Sequence, residues 1–218
     1  MPELRLLAGL LLAAAAAVTA AEPADIVGDA FDLETGELLY TERHFCGVDF
    51  LQCTVEYSDA NEQLIASKSV DYGRSLQAPA LFVQDFRRTT ETRLETDVDP
   101  ELVVDAGFDN FVRSRWDTLE QGDRIGFPFL IVGRDAPLDM VARSVGDSDC
   151  AMEELCLQVE LDSWLLRMVV PPIQLTYDRE QRRLLRFRGI SNIRDPDGKN
   201  LKVDIRYRYL GLQTASTE

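Results

Sequence analysis

One stretch of this chain repeats with the period of a helix, among segments that alternate with the period of a strand. It is Asp105-Ala-Gly-Phe-Asp-Asn-Phe-Val-Arg-Ser-Arg-Trp-Asp-Thr-Leu-Glu-Gln-Gly122. Phe108, Phe111, Val112, Trp116 and Leu119 recur three and four apart, which puts them on one face of an α-helix. Asp109, Arg113, Asp117 and Glu120 form a polar stripe beside that face. Asp105 suits the N-cap and Gly122 the C-terminal stop. The expectation is one amphipathic helix over 105–122. An apolar face carrying three aromatic rings has to lie in something concave, so the strands on either side are expected to curve around it.

Those strands come as hairpins. Ile26 to Leu33 and Leu38 to Phe45 flank the turn Glu34-Thr-Gly-Glu37. Gln52 to Tyr57 and Gln63 to Tyr72 flank Ser58-Asp-Ala-Asn61. In the return strand, Leu64, Ala66, Lys68, Val70 and Tyr72 alternate with Ile65, Ser67, Ser69 and Asp71. Leu81 to Arg87 and Thr90 to Thr96 make a more polar third hairpin before Pro100. After Gly122, Arg124 to Val132 carries Pro128, which marks an edge or a bulge. Leu138 to Val145, Leu155 to Leu161, Ile173 to Tyr177, Arg182 to Ile190 and Leu201 to Leu210 complete a meander. The segment 163–170 reads equally as a short helix or a strand. The last strand is the clearest: Val203, Ile205, Tyr207 and Tyr209 alternate with Lys202, Asp204, Arg206 and Arg208. Strands with one apolar and one polar face belong to antiparallel sheets solvated on one side.

The first 21 residues read as something other than fold. Leu6 to Val18 is a Leu/Ala run preceded by Arg5, and Val18-Thr19-Ala20 is a small-x-small cleavage signal. The run is shorter than the roughly 20 apolar residues of a spanning helix, which disfavours an uncleaved anchor. The expected organisation is a cleaved signal peptide at 1–21 and a single β-rich domain at 22–218, frayed over 211–218. Beyond the leader, the longest apolar run is Trp164 to Val170, broken by Arg167 and stopped by Pro171-Pro172. A periplasmic location follows from the leader, with no transmembrane span in the mature chain.

Cysteine usage agrees with export. Four cysteines allow three disulfide connectivities, and the local pairs Cys46–Cys53 and Cys150–Cys156 are favoured. The metal alternative needs tighter cysteine spacing or clustered histidines, and the chain has one histidine. The formal net charge is −15. Such a surface repels nucleic acid and anionic lipid heads.

Catalytic patterns are weak. There is no Gly-x-Ser-x-Gly elbow; Gly189-Ile-Ser191-Asn192 comes nearest. Any Ser-His-Asp or Cys-His arrangement would have to use His44, at a strand end. Asp195-Pro-Asp-Gly-Lys199 opens like a calcium loop, but Lys199 and Arg206 occupy positions that need oxygen ligands, so a hairpin turn explains it. Asp147, Asp149, Glu153 and Glu154 form an acidic loop around Cys150. No catalytic, cofactor-binding or metal residue is assigned and no cofactor is expected. The candidate site is apolar: Phe108, Phe111, Val112, Trp116 and Leu119 as the lining of a cavity between helix and sheet.

The order of hairpins, one central helix and a closing meander resembles the periplasmic lipoprotein carriers. That resemblance implies a strongly curved antiparallel sheet, an incomplete β-barrel, around an apolar helix, with a cavity that takes up lipid. Gly36-Glu-Leu-Leu-Tyr-Thr-Glu42, Val104-Asp-Ala-Gly-Phe-Asp-Asn-Phe111 and Phe187-Arg-Gly-Ile-Ser-Asn-Ile193 are also similar to phrases in a group of uncharacterised exported proteins of Gram-negative bacteria. The expected fold class is therefore α+β, mostly β. The expected function is non-enzymatic binding of a lipid or other apolar ligand. The alternatives are a structural or partner-binding envelope protein without a ligand and, last, a hydrolase.

Overall fold

The computed structural model describes residues 24–95, 99, 101–146 and 150–210. The expected signal peptide, the expected tail at 211–218, Pro100, and Asp147 and Asp149 of the acidic loop lie outside the described residues.

Thirteen strands form one open, curved sheet. In chain order they are β1 (Ile26–Asp32), β2 (Leu38–Cys46), β3 (Gln52–Asp59), β4 (Leu64–Asp71), β5 (Ala80–Asp85), β6 (Thr90–Leu94) and β7 (Val103–Val104). Then come β8 (Ile125–Leu130), β9 (Leu138–Ser144), β10 (Glu154–Leu161), β11 (Ile173–Asp178), β12 (Leu184–Arg194) and β13 (Asn200–Tyr209). The order across the sheet is β6-β5-β4-β3-β2-β1-β13-β12-β11-β10-β9-β8-β7. Each strand pairs with its neighbours along the chain, and β1 pairs in addition with β13. The single break in that sequence falls between β6 and β7, which form the two edges. The hairpins follow from their turns. Asp32 accepts backbone N–H bonds from Glu34 and Thr35, and Gly36 supplies the positive φ of 74°. Pro128 sits in β8 at a position not spanned by the short partner β7, so its missing N–H interrupts no ladder on that side.

The stretch 105–122 departs from the expected single helix. It folds as a 3-10 turn (Asp105–Gly107), α1 (Phe108–Ser114) and α2 (Trp116–Glu120), with Arg115 between them outside helical geometry. The Ser114 hydroxyl donates to the Phe111 carbonyl at 2.7 Å, and the Arg115 N–H is shared between the Phe111 and Val112 carbonyls. A serine hydroxyl that bonds a carbonyl of the preceding turn often accompanies a bend in a helix. Asp105 does not act as an N-cap, because it stands at φ 34° and its carboxylate is engaged elsewhere. Gly122 does terminate the stretch, at φ 92°. The pair β7–β8 is parallel, and the helical turns supply the crossover that a parallel pair needs.

Three apolar clusters fill the concave side. The largest joins α1 and α2 to β8–β11 through Phe111, Val112, Trp116, Leu119, Leu155 and Tyr177. A second lies under β1–β4, β12 and β13, around Ala30, Tyr40, Tyr57 and Ile205. The third, Val70, Ala78, Leu81, Val104 and Leu130, spans the break between the two sheet edges.

Candidate functional site

The five residues expected to line a cavity are brought together, and they are packed. Phe111, Val112, Trp116 and Leu119 are at most 3% exposed. Phe108 is half-buried against Phe111, Phe127 and Phe129, with ring centroids 5.6–6.1 Å apart. Trp116 stands edge-on to Tyr177 at 5.8 Å. Inside this cluster the Tyr177 hydroxyl is buried with no hydrogen-bond partner among the described residues.

A buried polar ladder crosses the concave face. Gly28, Glu42 and Tyr57 lie in register on β1, β2 and β3, with Tyr207 opposite Gly28 on β13. A side chain at Gly28 would meet Tyr207 and Glu42 at 2.8 and 2.9 Å, so glycine is what allows them to approach. His44 Nε2 lies 3.1 Å from Glu42 Oε1. Burial pushes the Glu42 carboxyl up, but the hydrogen bonds from His44 and Tyr207 and the nearby positive charges outweigh it, and its pKa lies below the usual value. One step along, Lys68 Nζ donates to Asp105 Oδ1 at 2.7 Å, and Asn192 Nδ2 donates to Asp105 Oδ2. Burial alone would pull the Lys68 pKa down. The Asp105 charge and hydrogen bond, with Tyr57 and Glu42 nearby, hold it above the ordinary value. Lys68 and Asp105 form an ion pair, Glu42 is held by hydrogen bonds from His44 and Tyr207, and the ladder ties β4, the start of the helical stretch and β12 together. The sequence carried a sign of it, since Glu42 and Lys68 stand in phase with apolar residues on their strands. His44 belongs to this ladder; Ser191 hydrogen-bonds Tyr40 at 2.8 Å, separate from His44.

On the outside, the most unusual feature is the β10–β11 connection. It folds as α3 (Trp164–Arg167) and continues to Pro171. Trp164, Leu165, Leu166, Met168, Val169 and Val170 are each between 38% and 75% exposed. The charge in this ledge, Arg167, turns back to Glu160 on β10, Nη1 to Oε1 at 2.7 Å. At its base Arg124 faces Asp162 at 3.8 Å. Scattered exposed apolar side chains are ordinary, whereas contiguous apolar surface marks contact with a partner or a membrane. In the sequence the signal was the run itself, which is too short to span a bilayer and does not alternate as a strand does.

Two surface clefts lie elsewhere. One of about 400 Å³ crosses the outer face of β2–β6, with Phe45 and Phe82 flanking Thr54 and Ser69. Arg93 lies over the Phe82 ring at 4.0 Å. The other, about 260 Å³, adjoins Cys150, Glu154, Cys156 and Arg179. Cys150, Glu154 and Cys156 have the proximity of metal ligands, but both sulfurs are committed to a disulfide. The favoured pairs are the ones formed, Cys46–Cys53 directly across β2 and β3 and Cys150–Cys156. Two disulfides fit an exported, oxidising setting. No helix among the described residues is long and apolar enough to cross a membrane. No protein family, curated protein or solved structure matches this chain.

Proposed function

We propose that this chain is a non-enzymatic docking protein of the periplasm, which engages its target through the apolar ledge 164–170. The exposed Trp164–Val170 segment carries the reading. A chain that buries the apolar face of 108–119 almost completely leaves this contiguous apolar run in water, as surfaces that meet a target do. The leader-like sequence and the disulfides support the location. The Lys68–Asp105 ion pair supports a structural role for this ladder, because it joins β4 to the start of the helical stretch.

The test is a photo-crosslinking amino acid at position 169 in the exported protein, with position 61 in the exposed β3–β4 turn as control. Adducts from 169 and none from 61 are expected. Equal labelling from both positions would end the docking reading. The second reading is the apolar ligand between the helical turns and the sheet that the sequence suggests; the close packing of Phe111, Val112, Trp116 and Leu119 weighs against it. Native mass spectrometry of the mature protein, followed by solvent extraction, decides it. A stoichiometric lipid is expected on that reading, and a clean apo mass removes it.

A further inference from the structure

We infer that the ledge is a wedge for the surface of a zwitterionic lipid bilayer, a proposal that rests on the docking reading above. Four observations carry it. First, the exposed residues are consecutive. Trp164, Leu165, Leu166, Met168, Val169 and Val170 point around the turn and do not follow one stripe. A groove on a protein takes residues spaced three and four apart and leaves the opposite face in water. Apolar side chains all round a turn match a solvent that surrounds it, which is what acyl chains provide. Second, part of the ledge satisfies its own backbone. The Arg167 N–H bonds the Ser163 carbonyl, and the Val169 and Val170 N–H groups bond that of Leu166. Groups that enter a lipid layer need such internal partners. Third, the one charge in the segment is neutralised at the base by Glu160, so insertion does not carry a free ion. Fourth, Trp164 stands at the start of the ledge, where an indole occupies the headgroup boundary while the aliphatic side chains go deeper. The net charge of −15 opposes anionic lipid and selects neutral or zwitterionic headgroups. The segment is short, so the contact is peripheral and reversible.

The experiment uses the mature protein and unilamellar phosphatidylcholine vesicles, read by flotation and tryptophan emission. Of the two tryptophans, Trp116 is 2% exposed and Trp164 is 70% exposed, so a shift in emission reports on the ledge. Flotation of the wild type and a blue shift are expected. Leu165→Asp and Val169→Asp each replace an exposed side chain, so their unfolding midpoints stay at the wild-type value. Each is expected to reduce partitioning about tenfold, the effect of withdrawing one buried aliphatic side chain. Variants that float as well as the wild type would overturn the assignment of the ledge. Binding that requires added phosphatidylglycerol would overturn the zwitterionic specificity. Absence of flotation and shift would overturn the lipid proposal outright. In that case the crosslinker at position 169 separates the two levels: a discrete protein adduct, or an adduct between two copies, keeps the docking reading, and no adduct discards both.

Discussion

The ladder of Glu42, His44, Tyr57, Tyr207, Lys68 and Asp105 is a set of groups that are each unfavourable to bury alone. Lys68 is 8% exposed and its carboxylate partner comes from a residue 37 positions away. Lys68→Met is expected to lower stability by about 3–5 kcal/mol, because Asp105 is then a buried charge without its cation. Lys68→Met with Asp105→Asn is expected to recover part of that loss in urea unfolding. Equal losses for the single and double variants would remove the ion pair from the argument. The pH dependence has a definite sign. Glu42 titrates below the ordinary carboxylate value of about 4.3, so its contribution is complete above that pH and is lost as pH falls through the folded value. Lys68 titrates above its ordinary value of about 10.4, so its contribution is present below that pH and is lost only as pH rises further. Glu42→Gln is expected to flatten the acid limb of stability below about pH 4.3, measured by urea unfolding at each pH. An unchanged slope would show that Glu42 is not the group that titrates. Half of this ladder was legible in the sequence. A lysine in phase with Ala66, Val70 and Tyr72 announces a buried cation, but periodicity says nothing about which distant carboxylate meets it.

Among the elements, the helical stretch shows where pattern reading stops. The apolar spacing of Phe108 through Leu119 identified the face that is buried, and that face is buried. It did not show the break at Arg115, where the N–H is shared between two carbonyls and the Ser114 hydroxyl bonds one of them. It also misassigned Asp105, whose carboxylate has a stronger partner in Lys68 than in any backbone N–H. The start of the stretch is held by close fit: a side chain at Gly107 would come 2.1 Å from the Gln77 carbonyl oxygen, and Val104 donates to that same oxygen. Gly107→Ala is therefore expected to destabilise by about 1–3 kcal/mol, the range for overpacking. Trp116→Ala is expected to cost about 3–5 kcal/mol. Leu165→Asp, on the ledge, should stay within about 0.5 kcal/mol of wild type. Thermal unfolding of the three variants checks the ranking, and a ledge substitution as damaging as Trp116→Ala would mean the segment is packed in solution. The strands were the most legible elements, since their alternation and turn residues mark nearly every one. The exception is β7, two residues long and parallel, which leaves no periodic trace.

At the scale of the molecule, the order of strands follows the order of the chain with one discontinuity. Alternation and turns make neighbouring strands pair, so the meander could be expected from sequence. The pairing of β1 with β13 could not, because it joins segments from opposite ends of the chain. Reduction of the Cys46–Cys53 bond, which closes a short hairpin loop, is expected to lower stability by about 2–2.5 kcal/mol on the chain-entropy view. Comparison of Cys46→Ala/Cys53→Ala with wild type in urea checks that figure, and no change would mean the hairpin holds its ends unaided. The seam at β1 and β13 has a further consequence. The Leu210 N–H donates to the Asp25 carbonyl at 2.8 Å, so the first and last strands meet in the middle of the sheet, while the sheet's two edges are joined by a covalent connection. Linking Leu210 to Asp25 there and opening the chain between β6 and β7 would yield a circular permutant that runs from one edge to the other, every strand beside its predecessor. Contact order would drop, and folding that waits on the longest loop closure would no longer have to wait. In the native chain that longest-range pairing, β1 with β13, lies at the centre of the sheet.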